Sequence, residues 1–127
     1  MSLTSTKAAL YALFADNTTD RTPVAGLTRA KTVYLGEPRP GDMLGPIAVT
    51  VGTGKGTPTT MEFLVRVYGK PDVDALAVQA DMDVTIQEVW DLIDADDTFQ
   101  APDFEASYIP EIDCLVATFK VTAGRSF

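Results

Sequence analysis

The stretch Val51-Gly-Thr-Gly-Lys-Gly-Thr-Pro-Thr-Thr60 comes nearest to a known chemistry, the holding of a phosphate. A phosphate loop needs glycines that let successive backbone N–H groups converge and a lysine for charge. It also needs a Ser or Thr directly after that lysine, at the start of a helix, to hold magnesium. Here Lys55 is followed by Gly56, and Val49 stands where the first glycine of the motif belongs. The residues that follow, Met61 to Tyr68, alternate and are rich in β-branched and aromatic types, which predicts a strand. Without a helix N-terminus no dipole faces the anion. Gly52, Thr53, Gly54, Lys55, Gly56 and Thr57 are therefore read as a flexible hairpin tip and, with Arg21, Arg29 and Arg66, as candidate contacts to a partner.

Carboxylates are the only abundant side chains of catalytic type. Asp81 and Asp83 are two apart on a helical pattern and point in different directions, so they share neither a proton nor a metal. Asp94, Asp96 and Asp97 begin like a calcium loop and Glu105 stands at its twelfth position, but Phe99 occupies the place of the glycine that makes its sharp turn. Glu62 with Glu105 or Glu111 is the remaining acid–base pair, set against the plainer reading of solvated charges on outer strand faces. Histidine is absent and Cys114 is the only cysteine, which removes Ser-His and Cys-His catalysis, histidine-ligated zinc, CxxC centres and disulfides. Cys114 lies in an apolar strand pattern and reads as a core residue. No enzyme, metal or cofactor is expected.

The net charge of −8 opposes a dedicated nucleic-acid binder yet suits a surface that DNA must slide past. No run reaches the ~20 apolar residues of a membrane span. The opening residues lack the early charge and cleavage pattern of a signal peptide, so a cytosolic start is expected.

These residues need elements to position them. Thr4 to Asp16 predicts a short helix, apolar nearly all round, with Leu3, Lys7, Tyr11 and Phe14 on one line. Both burial in the domain and contact with another chain fit it. Asn17 to Ala30 reads as a long polar loop. Thr32–Leu35 and Ile47–Val51 predict strands, and Met61–Tyr68 completes a hairpin with Met61, Phe63, Val65 and Val67 on one face. From about Asp72 to Asp94, Ala75, Val78, Met82, Ile86, Val89 and Ile93 recur at helical spacing, with Asp81, Asp83, Glu88 and Asp91 on an acidic back. Phe104–Ile109 belongs at a sheet edge or ends at a bulge because Pro110 follows it, and Cys114–Thr122 closes the sheet. The expected fold is a single α+β domain, residues 1–127. It has a mainly antiparallel sheet of four or five strands, a long amphipathic helix across one face and a short N-terminal helix.

That order, in an acidic chain of this size, resembles the tail terminator proteins of long-tailed bacteriophages. The resemblance rests on Lys7-Ala-Ala-Leu-Tyr-Ala-Leu-Phe14, Thr32–Leu35, Glu62–Tyr68 and the helix Val73 to Ile93, and the loop Asn17–Ala30 departs from it by its length. It implies a virion protein made in the host cytoplasm. Six copies would form a ring that caps the tail tube protein, stops its polymerisation and meets the head-tail connector, with DNA passing through the lumen unbound. Docking would order the hairpin tip and the long loop, and part of the acidic surface would face the channel. Another neck or tube component, or a small-ligand domain, are the competing readings.

Overall fold

Two runs of strict alternation, over Thr60–Gly69 (β3) and Cys114–Gly124 (β6), form the middle of the fold. They pair antiparallel over ten residues without a slip, from Thr60↔Gly124 to Gly69↔Leu115. Met61, Phe63, Val65 and Val67 therefore share one face with Ala117, Phe119 and Val121, and all are buried there. The computed structural model describes residues 3–15, 22–36, 46–56, 60–70, 75–100, 103–109 and 114–124.

The remaining elements are α1 (Leu3–Ala12), β1 (Thr32–Leu35), β2 (Ile47–Gly56), α2 (Ala75–Asp94), β4 (Phe99–Gln100) and β5 (Phe104–Ile109). The sheet runs β1-β2-β3-β6, and β4 and β5 lie one after the other along the outer side of β6. The class is α+β, as expected. Two details differ. The sheet has six described strands instead of four or five, and it is mixed, because β1 runs parallel to β2 from Thr32↔Ala48 to Leu35↔Val51.

The extra strand is the two-residue β4. Phe99 faces Ala123 and Phe104 faces Phe119, so five steps along one side oppose four along the other. That one-residue slip brings Phe99 and Phe104 to the same face of the sheet although they are an odd number of residues apart. A two-residue strand with such a slip carries too little alternation to be seen in sequence.

α2 lies on the face formed by β3 and β6. Val78, Met82, Val89 and Ile93 are buried as their spacing predicts, with Ile86 and Trp90 half-buried beside them. Thr85 is also fully buried, its hydroxyl donating to the Asp81 carbonyl at 2.8 Å, which satisfies it without a partner on the sheet. Trp90, Phe104 and Phe119 meet edge-to-face or tilted, with centroids 5.4 to 6.2 Å apart, and so tie α2 to the start of β5. At the other end of the helix, a Cβ on Gly69 would overlap Met82 Sδ and lie 2.7 Å from its Cγ.

α1 ends at Ala12, earlier than expected, and its inward residues are Thr6, Leu10 and Tyr11, with Phe14 following. Leu3 is instead exposed, so the line through Leu3 and Lys7 is not the buried one. Tyr11 Oη donates to the Val33 carbonyl at 3.1 Å. Gly36 N donates to the Val51 carbonyl, and because carbonyls alternate in direction along a parallel strand, Val33 points its own away from β2. α1 thus closes the β1 edge at its middle. On the opposite face of the sheet a smaller cluster of Tyr34, Ala48, Tyr68, Cys114 and Val116 is buried, and Cys114 is a core residue, as expected.

Gly69→Ala is expected to cost about 1–3 kcal/mol by overpacking, and Met82→Ala about 2–5 kcal/mol by leaving a cavity. The double variant should cost clearly less than the sum, since the new methyl enters space that Met82 vacates. Urea unfolding followed by Trp90 fluorescence measures this, and strict additivity would show that Met82 does not set the approach of helix to strand.

Candidate functional site

Gly52–Gly56 does not form the expected flexible tip. These residues continue β2, paired with Met61 to Leu64, and only 57–59 separate the two strands. Thr57 lies outside the described residues. Between Thr53↔Phe63 and Gly56↔Met61 the β2 side carries one extra residue, a bulge that the glycines accommodate. A Cβ on Gly54 would stand 3.0 Å from Glu62 Oε1 and 3.1 Å from its carbonyl oxygen. Close passage of Glu62 over the backbone accounts for glycine there, and a strand follows where a phosphate loop needs a helix. Ladder hydrogen bonds outweigh the weak strand preference of glycine, which is why composition suggested a loop.

The arginines are scattered. Arg21 lies outside the described residues. Arg29 Nε sits 3.3 Å from Asp81 Oδ1, an ion pair half open to solvent and worth under ~1 kcal/mol. Beside it, the Thr28 backbone N–H donates to both oxygens of Glu88 at 3.1 and 3.2 Å, and its hydroxyl donates to Oε2 at 2.9 Å. Leu27 and Ala30 are buried, and Gly26 passes close to Leu92. The described part of the long loop, from Thr22, is therefore fastened along α2, and Asp81 and Glu88 of the acidic back are engaged in holding it. Arg66 is half-buried on the other face of the sheet, in register with Thr50 and Thr118.

Glu62 and Glu105 are not placed as a catalytic pair. Glu62 is opposite Thr122 and Glu105 opposite Thr118, on two strands separated by β6. With about 4.8 Å between strands and 3.4 Å per residue, their positions are about 17 Å apart, beyond the span of a glycosidase-type pair. Glu111 lies outside the described residues. A cleft of about 640 Å³ beside β4 gathers Glu62, Asp94, Asp96, Asp97 and Asp103 around Lys120. Asp96 Oδ1 accepts the Thr98 N–H at 2.8 Å and so shapes the turn after α2. No group of metal-ligating residues occurs among the described residues, and no described helix is long and apolar enough to cross a membrane.

What the fold does bring together is charge and apolar surface. Residues 75–109 hold nine Asp and Glu and no Lys or Arg. In α1, Thr22–Gly36 and β2, the charged described residues are Lys7, Arg29, Lys31 and Lys55, with no acid among them. Lys7 and Lys31 lie on or beside α1 and β1 at one edge of the sheet and Asp103 and Glu105 on or beside β5 at the other, whereas Arg29 reaches Asp81 of α2. The exposed large apolar residues divide the same way, with Leu3 and Leu35 beside the basic edge and Leu76, Val84, Phe104 and Tyr108 beside the acidic one. A groove of about 270 Å³ runs between α2 and β5, floored by Met82, Ile86 and Leu115 and flanked by Asp83 and Tyr108. Among the described strands, only β6 pairs with β5. This division went unread in the sequence although it was there. Residues 1–56 carry six basic and four acidic groups, while residues 57–127 carry four and fourteen.

Glu88→Ala should free the Thr22–Ala30 segment while costing little global stability, on the order of 1 kcal/mol. Hydrogen exchange at Thr28 and its neighbours should then quicken while β3 and β6 stay protected. Unchanged exchange at Thr28 would show that buried Leu27 and Ala30 alone hold the segment. Compared with known proteins, the chain matches no protein-family model and no curated protein.

Proposed function

We propose that the chain is a structural protein that acts through assembly of identical copies, as a ring of six at the head-proximal end of a long phage tail. The ring caps the tube, ends its growth and receives the head connector. The observation that carries this reading is the unlikeness of the two sheet edges, with Lys31 and exposed Leu35 on or beside β1 and Glu105 and exposed Tyr108 on β5. A ring closes only through a heterologous contact, in which one surface of each copy meets a different surface of the next. Two unlike, complementary edges meet that requirement.

The acidic side suits the lumen as well. Asp83, Asp91, Asp94 and Asp97 are exposed on or just after α2, and carboxylates facing a channel repel phosphates and leave DNA free to move. Asp81 and Glu88 are less available for that role because Arg29 and Thr28 hold them. The same two edges also favour a second reading, a neck or tube component, since a heterologous contact whose rotation does not close builds an open array.

Negative-stain images of the purified protein, alone and with phage tails lacking their cap, test the reading. Closed six-fold rings, or tubes ended by one extra ring, are expected. Open-ended tubes would favour the tube component. A monomer stabilised against heat by a metabolite would favour a ligand-binding domain.

A further inference from the structure

We infer that β5 pairs edge to edge with the β5 of a second copy of this chain, antiparallel about a twofold axis at Ala106, so that one sheet runs through both copies. The inference goes beyond the proposed ring. A ring contact through the β5 edge and this pairing exclude each other, so the twofold dimer is a state of the free chain.

The backbone decides which groups the edge offers. Gly36 N–H donates to the Val51 carbonyl, so Val51 turns its backbone groups toward β1. Val51 is in register with Val65, Val65 with Phe119, and Phe119 with Phe104. Along that row hydrogen-bonded and non-hydrogen-bonded pairs alternate, as they do in any antiparallel ladder. Val65 and Phe119 therefore bond each other, and Phe104 turns its N–H and C=O away from β6. Ala106 and Tyr108 follow by alternation, while Glu105 and Ser107 turn theirs inward. Phe104 to Tyr108 are all exposed, and no described strand lies beyond them. Phe104–Ile109 contains no Lys or Pro to blunt it, and such an edge pairs with another strand unless covered.

Among the described strands, no other edge of this chain offers a regular partner. Tyr11 Oη occupies the outward carbonyl of Val33 in β1, and the bulge between Thr53 and Gly56 breaks the far end of β2. The sequence of β5, in contrast, is matched to itself. With Ala106 facing Ala106, Phe104 of each copy faces Tyr108 of the other, and Glu105 faces Ser107. The residues with outward backbone groups then fall opposite one another, which a hydrogen-bonded ladder requires. Aromatic rings meet on the side that carries α2, where Phe104 already touches Trp90, and each carboxylate on the other side meets a hydroxyl that donates to it. A shift of two residues one way sets Glu105 against Glu105. The opposite shift runs Phe104 past Ile109, the end of β5.

The test uses the full chain, whose only native cysteine is buried. Ala106→Cys should give a disulfide-linked dimer on mild oxidation and nothing larger, because residues bonded across the axis lie about 5.5 Å apart between Cα atoms. Phe104→Cys and Tyr108→Cys should cross-link when mixed far more than either does alone. Ala106→Pro removes the N–H at the axis without touching the β6 ladder, and Ala106→Lys sets two like charges there. Each should weaken the dimer seen by sedimentation about tenfold or more while urea unfolding stays cooperative. A ladder of multimers from Ala106→Cys, no cross-link from it, a dimer indifferent to both Ala106 variants, or a monomer at every concentration would overturn the inference. Rings of six from a free chain that is monomeric would keep the proposed function and remove this contact. A twofold dimer that never caps a tail would keep this contact and remove the proposed function.

Discussion

The ten-residue antiparallel register of β3 with β6 is the constraint on which the rest of the molecule depends. Side chains alternate between the faces of a sheet, so a slip of one residue would turn Phe63, Val65, Phe119 and Val121 outward together. Because the register holds, both strands give one apolar face, and the stripe of α2 has a surface to lie on. Gly69 then becomes necessary, since it is where helix and strand come closest. Phe119 in turn receives Trp90 and Phe104, which sets where β5 begins.

From that centre the two sides of the sheet develop differently. Toward β1, the helix α1 covers part of the edge and supplies a hydroxyl to its outward carbonyl. Toward β5, the described chain adds a broken strand and little above it, so Phe104 and Tyr108 remain open beside a groove. The asymmetry arises from element order: the basic first half of the chain builds one edge, and the acidic stretch from α2 onward builds the other. A heterologous assembly needs that kind of difference between edges.

The long alternating runs and the α2 stripe were legible because burial on one face imposes a period over many residues, and Met61–Val67 or Val78–Ile93 cannot satisfy another period. The expectation that Phe104–Ile109 lies at an edge also holds among the described strands. Pairing between distant strands was not legible: nothing local in Thr32–Leu35 says that it lies parallel to Ile47–Gly56. Gly52–Gly56 misled because glycine reports permitted conformations, and here the bulge and the passage of Glu62 select an extended one. The candidate surface was half legible. Its charges can be counted in the sequence, but their sorting to opposite edges depends on the strand order.

The distribution of acid along α2 adds a last step. Asp91, Asp94, Asp96 and Asp97 crowd the C-terminal end of the helix, where the backbone dipole is already negative and each charge costs about 0.3–1 kcal/mol at low salt. Thr98 N–H answers one of them, Gln87 Nε2 donates to another at 2.9 Å, and Lys120 lines the same cleft as Asp94, Asp96 and Asp97. In the proposed assembly the exposed Asp91, Asp94 and Asp97 face the lumen, so the term that weakens the end of the helix is one the channel uses to repel phosphate.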